Sequence, residues 1–179
     1  MHWLERHWYG ITPLTPLLYL PSLVFRVAVA LRRALYRAGI LPVAKLPVPV
    51  IVVGNISVGG TGKTPVVLWL VTFLREHGMQ PGIVSRGYRG AGTVPQRVTS
   101  GSDPAISGDE AVMLAQRCGA PVWIGADRVA AARALLAAQP ACNVIVSDDG
   151  LQQYRLARNI EIVVVDGARG LGNTHLLPA

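Results

Sequence analysis

Apolar residues along this chain occur in two kinds of run, which differ in length and spacing. Short runs that are apolar at almost every position are typical of buried strands, and they lie at Val48–Val53, Pro81–Ser85, Pro121–Gly125, Cys142–Ser147 and Ile160–Asp166. Longer amphipathic runs predict helices at Lys63–His77, Asp109–Cys118 and Asp127–Gln139. Continuously apolar strands that alternate with helices are typical of parallel sheets. The pattern therefore predicts an α/β fold with a parallel sheet and helices on both faces.

Two segments between these runs predict the organisation of the chain. Residues 90–107 are rich in Gly, Ser, Pro and Thr, which indicates a surface loop. The prolines of "KLPVP", from Lys45, indicate a linker before the first strand. We therefore expect an N-terminal region at 1–45 and a globular core at 46–179.

The N-terminal region contains a strongly apolar stretch at 11–31. Because Pro13, Pro16, Pro21 and Arg26 interrupt it, we do not expect a membrane-spanning helix. Helical spacing instead predicts a helix from Ser22, a candidate N-cap, to a stop at Gly39.

Three arginines of this helix, Arg26, Arg33 and Arg37, fall on one stripe at 100° per residue. Apolar residues gather roughly opposite, which favours a helix that lies in a membrane interface with its arginines toward anionic head groups. A core helix and a secretory signal are the alternatives, and Pro21 and Arg26 weaken the signal.

Composition and charge narrow the function classes. The formal net charge of +7 arises mainly in the first 50 residues, where six basic residues accompany one acid. No basic stripe with aromatic residues or RNA-binding signature follows, so nucleic acid is not an expected partner. Cys118 and Cys142 lack the spacing of metal ligands, which favours a reducing compartment. The four histidines form no zinc-binding or hydrolase motif.

The stretch "SVGGTGKT" lies between the first predicted strand and a predicted helix. It matches the phosphate-binding loop G-x-x-x-x-G-K-[ST] except that Ser57 replaces the first glycine. Backbone N–H groups of such a loop surround phosphate oxygens, the lysine reaches the outer phosphates, and the final hydroxyl binds Mg²⁺. Glycine-rich turns without nucleotide also exist. The predicted phosphate-binding residues are Ser57, Gly59, Gly60, Thr61, Gly62, Lys63 and Thr64.

An acidic pair, Asp148 and Asp149, follows the run Val144–Val146. Ligands of parallel sheets bind at this carboxyl edge, so we expect the pair to bind a metal ion with Thr64, although one aspartate could merely cap a turn. Asp109 and Glu110 begin a predicted helix, where the helix dipole alone would favour acids. One of the two could instead accept a proton from an attacking hydroxyl while the other helps hold the metal.

Two arginines are candidate phosphate ligands. Arg86 follows a predicted strand in "SRGY", and Arg128 follows Asp127, a candidate helix N-cap, in "GADR". Solvated arginines are common in such loops.

Together these motifs resemble the tetraacyldisaccharide 4′-kinases of lipid A biosynthesis. The resemblance is carried in order by "GNISVGGTGKTP", "SRGY", "GDEA", "DDGLQ" and "DGARGLGNTHLLPA", and Ser57 is itself a feature of that family's loop. It implies a P-loop kinase that transfers the γ-phosphate of ATP, with Mg²⁺, to the 4′-hydroxyl of a tetraacyldisaccharide 1-phosphate. It also implies Asp109 as general base and Glu110, Asp148 and Asp149 around the metal. The implied location is the cytoplasmic face of the bacterial inner membrane, where the N-terminal helix would dock on anionic lipid.

Members of that family are longer than this chain, and a histidine in their second lobe is thought to assist the catalytic aspartate. We therefore expect this sequence to be a truncated chain with weak ATP binding and reduced activity. A P-loop NTPase with a regulatory or transport role at the membrane is the alternative function.

Overall fold

The computed structural model describes residues 15–56, 62–87, 94–167 and 170. They fall into two compact units. One unit contains the chain as far as Pro42, Ile56 and the described residues from Val165. The other contains Val43–Asn55 and the remaining described residues up to Val164. The second unit holds the sheet and is called the core unit below.

Helix α1 of the first unit spans Thr15–Arg37 and ends as the sequence predicts. Gly39 has φ 72°, and Ile40 N donates to Leu35 O at 3.0 Å, so a left-handed glycine terminates the helix. The predicted start at Ser22 is wrong, because Pro21 lies inside the helix. The helix therefore continues through Pro21 without the backbone hydrogen bond that proline cannot donate. Among the described residues, no helix combines the length and the apolar character that a membrane-spanning segment needs.

The core unit contains a sheet with the strand order β3-β4-β2-β5-β1-β6 in the described residues. Its strands are β1 (Val50–Asn55), β2 (Pro81–Ser85), β3 (Gln96–Val98), β4 (Val122–Ile124), β5 (Val144–Asp148) and β6 (Ile160–Val164). Its helices are α2 (Lys63–Glu76), α3 (Pro104–Ser107), α4 (Asp109–Arg117) and α5 (Arg128–Ala138). All strand pairs are parallel except β3 with β4. The prediction of an α/β fold is confirmed. The prediction of a wholly parallel sheet is wrong, because the outermost strand β3 pairs antiparallel with β4.

Helices cover both faces of the sheet. Successive side chains of each strand point to opposite faces, so the residues of one strand pack against different helices. Ile51 and Val53 of β1 pack in a buried cluster with residues of α2 and α4. Val50 and Val52 pack in a second cluster with residues of α5. The continuous apolar runs are thus explained by burial on both faces.

The predicted loop at 90–107 contains two short elements that the sequence analysis missed. Strand β3 buries only Val98 of its three residues, so it has no continuous apolar run. Helix α3 is a single turn, capped by Asp103 Oδ1, which accepts from Ala105 N at 2.9 Å. Elements this short carry too few residues for a periodic signal.

The strand register places three polar residues at one edge of the sheet. Val53 of β1 pairs with Asp148 of β5, and Val84 of β2 pairs with Ser147 of β5. Asn55, Ser85 and Asp148 therefore end neighbouring strands at the carboxyl edge. Parallel α/β sheets bind their ligands at this edge.

Candidate active site

The chain on either side of the predicted phosphate loop is positioned as such a loop requires. Strand β1 ends at Asn55, and α2 begins at Lys63 directly after Gly62. Gly62 has φ 77° and ψ 24°, a left-handed conformation that a glycine adopts without strain. The residues predicted to surround phosphate within the loop, Ser57, Gly59, Gly60 and Thr61, lie outside the described residues.

Within the described part of the chain, the ammonium group of Lys63 has two side-chain partners at the carboxyl edge. Nζ donates to Asn55 Oδ1 at 2.9 Å and to Asp149 Oδ1 at 2.8 Å. The Lys63 side chain is 19% exposed, whereas that of Asp149 is 57% exposed. Thr64 follows in the first turn of α2 and is half-buried. The lysine is thus held near the acidic pair from two sides.

Asp148, the last residue of β5, and Asp149, which follows it, lie in very different environments. Asp148 is only 2% exposed, and its Oδ2 accepts a hydrogen bond from Ser85 Oγ at 3.2 Å. Burial, followed by the charge of Glu110, raises the pKa of the Asp148 carboxyl above its ordinary value of 3.8. Asp149 has φ 52°, which turns the chain away from the strand direction. The next residue must be small, because a Cβ at Gly150 would lie 2.5 Å from Ser147 Oγ.

A cavity of about 300 Å³ lies at this edge and brings several predicted residues together. Its wall comes from three segments, which are Ser85–Gly87, Ser107–Ala111 and the pair Asp148 and Asp149. Gly108, with φ 87°, turns the chain between α3 and α4, so that α4 begins at the cavity with two acids. Asp109 and Glu110 are exposed within this wall. Four carboxylates and Arg86 therefore border one space.

Arg128 does not line this cavity. It is 2% exposed, and its Nη1 donates to Gly125 O at 2.8 Å. Burial lowers the pKa of its guanidinium to about 10, against the opposing charges of Asp148 and Asp149. Its contact with phosphate stays a prediction, which this buried position does not favour.

The neighbouring Asp127 is confirmed as the N-cap of α5. Its Oδ1 accepts from Val129 N at 2.9 Å and from Ala130 N at 3.3 Å. Its Oδ2 also accepts from Arg155 Nη1 at 3.0 Å.

The acidic residues fit a magnesium ion that arrives with a nucleotide. No group of three or more His, Cys, Asp or Glu side chains that could hold a metal exists among the described residues. Mg²⁺ commonly needs only one or two carboxylates, with phosphate oxygens and water as its other ligands. None of the ion pairs of the described ranges involves Asp148, so this buried carboxylate has no cation in direct contact there. Asp148, Asp149 and Glu110 of the cavity wall supply suitable hard oxygen donors, and Thr64 follows Lys63 in the first turn of α2.

Sequence reasoning missed Asn55 and Ser85 as site residues. Both are single polar residues at the end of a buried strand, and each binds a charged residue that the motifs had identified. The available signal was their position, because polar residues that end parallel strands meet at the ligand-binding edge.

Comparison with known proteins decides the family. The family model for tetraacyldisaccharide-1-P 4′-kinase, LpxK, matches residues 14–179. The chain belongs to the tetraacyldisaccharide-1-P 4′-kinase family. Two similar relatives, each named tetraacyldisaccharide 4′-kinase, come from Nitrosococcus oceani and Methylobacillus flagellatus and are both 54% identical to this chain. The alignments cover 97% and 99% of this chain but 52% and 53% of those proteins. The chain thus spans about half the length of the curated relatives it matches.

A solved LpxK structure has the same core fold. It is a crystal structure from Aquifex aeolicus, described as an "apo" form in complex with ATP. The similarity has a TM-score of 0.72 at 33% sequence identity, and it covers 84% of this chain and 47% of the Aquifex chain. The mixed sheet with its flanking helices is therefore the LpxK arrangement over most of the chain.

Proposed function

We propose that this chain takes part in ATP-dependent phosphorylation of the 4′-hydroxyl of a tetraacyldisaccharide 1-phosphate. The observation that carries the proposal is the meeting of Lys63 with Asp149 beside an acidic cavity at the carboxyl edge of the sheet. Membership of the LpxK family and the likeness to a structure in complex with ATP support it. Phosphoryl transfer needs a held donor, a metal and a base for the acceptor hydroxyl, and the site has candidates for each.

In this proposal the donor is held by the chain segment between β1 and α2. Lys63 binds the outer phosphates of ATP, while the left-handed Gly62 lets the loop join the helix N-terminus, which favours negative charge. Ser57, Gly59, Gly60 and Thr61 supply backbone N–H groups to the phosphates. Arg86 lines the cavity wall and would add a bidentate contact to a pair of phosphate oxygens.

Thr64, Glu110, Asp148 and Asp149 are the residues that would hold Mg²⁺. When bound, the ion supplies positive charge that neutralises the phosphate oxygens during transfer. Asp148 fits this role because it is buried and has Ser85 as a hydrogen-bond donor.

Asp109 is the proposed general base. It begins α4 and is exposed in the cavity wall, where an acceptor hydroxyl has access to it. Asp148 is a poorer candidate, because its carboxylate is buried and bonded to Ser85. A base must reach the proton it accepts, so exposure in the cavity favours Asp109 over Asp148 in this role.

The region 1–45 is proposed to dock on the anionic cytoplasmic face of the inner membrane, while 46–179 forms the kinase core. Arg26, Arg33 and Arg37 line one groove along α1. An apolar stripe of the same helix is 59% to 68% exposed at Leu20, Val24, Val27 and Leu31. A helix with a basic side and an exposed apolar stripe is suited to a membrane interface, where an acylated substrate resides.

The test is transfer of ³²P from labelled ATP to a tetraacyldisaccharide 1-phosphate in mixed micelles. Asp109→Asn should reduce transfer by at least about 100-fold, since a positioned base contributes typically 10²- to 10⁴-fold, while ATP binding is retained. Asp103→Asn is the matched control, because Asp103 caps α3 outside the cavity and asparagine also caps helices. Slow ATP hydrolysis without lipid phosphorylation, unaffected by Asp109→Asn, would instead indicate a nucleotide-controlled switch.

A further inference from the structure

A buried hydrogen bond joins the ends of two neighbouring strands at the cavity. Ser85 ends β2, Asp148 ends β5, and their side chains meet where the Ser85 hydroxyl donates to Oδ2 at 3.2 Å. Ser85 is 6% exposed and Asp148 is 2% exposed. Because β2 and β5 pair in register up to Val84 and Ser147, the backbone fixes both residues.

The rest of the site gives Asp148 little support for its charge. The acids Glu110 and Asp149 repel it, while Lys63 and the buried Arg128 act favourably on it without a hydrogen bond to its carboxylate in the described structure. The ammonium group of Lys63, however, is bonded to Asn55 and Asp149. Ser85 is the side-chain donor to Asp148 among the described residues, and no described side chain bonds to Oδ1.

We propose that Ser85 is a positioning residue, which fixes the Asp148 carboxylate so that Oδ1 faces the Mg²⁺ ion of the bound nucleotide. The Ser85 hydroxyl donates a hydrogen bond to Oδ2 and thereby limits rotation of the carboxylate. It also replaces part of the hydration that burial removes. Partners that orient metal-binding carboxylates typically change metal affinity by 10- to 100-fold when removed. This inference rests on the proposed function, because it assumes a nucleotide-bound Mg²⁺.

The neighbouring Ser147 provides a matched control within the same strand. It is fully buried one residue before Asp148, and its hydroxyl has no hydrogen-bond partner in the described structure. Ser147→Ala thus removes the same atom as Ser85→Ala from an adjacent buried position without touching Asp148.

The experiment measures Mn²⁺ affinity of the ATP-loaded full chain by electron paramagnetic resonance, and ATP affinity in EDTA by calorimetry. Ser85→Ala should weaken Mn²⁺ binding by about 10- to 100-fold and leave metal-free ATP binding within about twofold. Ser85→Thr keeps the hydroxyl and should restore Mn²⁺ affinity to within about threefold. Ser147→Ala should bind Mn²⁺ like the unchanged chain. Ser85→Cys, a weak donor of similar size, replaces Ser85→Ala if that variant does not fold.

Unchanged Mn²⁺ affinity in folded Ser85→Ala or Ser85→Cys would overturn the inference. An equal loss in Ser147→Ala, or a parallel loss of metal-free ATP binding, would also overturn it, because either result indicates a general disturbance of the edge. If the unchanged chain binds no ATP at all, the proposed function is wrong. This result distinguishes a failure of the proposed function from a failure of the inference about Ser85 alone.

Discussion

Lys63 and Asp149 form an ion pair across the carboxyl edge, with 2.8 Å between Nζ and Oδ1. The two residues are 86 positions apart in sequence, and the pairing of β1 with β5 brings them together. Asn55 holds the same ammonium group at 2.9 Å. Because Asn55 can keep its hydrogen bond to the ammonium group, Lys63 can release the exposed Asp149 carboxylate and bind a phosphate instead without losing its orientation.

We predict that Lys63→Ala weakens ATP binding by roughly 10- to 100-fold, the loss expected for a hydrogen bond to a charged group. Lys45→Ala is the control, since Lys45 is exposed and is the other lysine of the chain. Calorimetric titration with Mg-ATP provides the measurement. Equal affinities of the two variants would contradict the role of Lys63.

A second prediction concerns the backbone at Asp149, whose φ of 52° is unusual for a residue with a side chain. Asp149→Gly and Asp149→Ala both remove the ion pair with Lys63, but only glycine adopts this conformation without strain. The glycine variant should therefore exceed the alanine variant in free energy of unfolding by about 1 kcal/mol. Urea denaturation measures both values. An alanine variant as stable as the glycine variant would refute strain at this position.

Sequence reasoning predicted the elements whose residues are buried as a group. Strand β2 was predicted with its observed bounds, and α5 was predicted to within one residue at each end, since Asp127 marks its start chemically. The short β3 could not be predicted, because Val98 is its single buried residue and its pairing with β4 depends on a distant segment. Local pattern thus identifies elements that bury a continuous face.

The residues of the candidate site differ in the same way, because local motifs identify some of them and others depend on contacts between distant segments. The motifs identified Lys63 and Asp148, because phosphate and metal binding restrict residue types at short spacing. They did not identify the partners of these residues, Asn55 and Ser85, since each bond crosses between strands whose register is set by the whole sheet. Arg128 was predicted to contact phosphate from its place at the start of a helix, but its side chain is buried and does not line the cavity. A position at the start of a helix does not indicate whether the side chain is buried.

A third prediction follows from the raised pKa of Asp148. The folded state binds this proton more tightly than the unfolded state does, so ionisation of Asp148 lowers stability. The cost is absent below pH 3.8 and grows as pH rises through the raised pKa of the folded state. The neutral Asp148→Asn variant should therefore gain stability relative to the unchanged chain over this range. Urea denaturation at a series of pH values measures the gain.

The control for that series is Ser147→Ala, which changes no titratable group in the same strand. Its difference from the unchanged chain should not vary with pH. A difference between Asp148→Asn and the unchanged chain that stays constant or falls with rising pH would contradict the destabilising effect of the Asp148 charge.

A fourth prediction concerns α1 and its three arginines, Arg26, Arg33 and Arg37. Replacing all three with glutamine should weaken binding to vesicles that contain phosphatidylglycerol by about 100-fold. The basis is roughly 1 kcal/mol per basic residue near an anionic surface. Vesicle sedimentation at low and high salt measures the partition coefficient.

The control for α1 removes the same charge from exposed arginines of the core unit, Arg97, Arg117 and Arg133. This triple glutamine variant should bind the vesicles like the unchanged chain. Equal losses in both triple variants would indicate a nonspecific effect of net charge and contradict docking through α1.

The fifth prediction concerns Gly82, where β2 meets α5. A Cβ at this position would lie 2.6 Å from Leu135 Cδ2 and 2.9 Å from Cys142 Sγ. Leu135 is fully buried, so the added methyl group must displace packed side chains, and Gly82→Ala should lower the free energy of unfolding by about 1–3 kcal/mol. Gly101→Ala is the control, because nothing lies within 4 Å of its Cβ position. Similar denaturation midpoints for both variants would contradict the prediction, because they would show that α5 moves to accommodate the added methyl group.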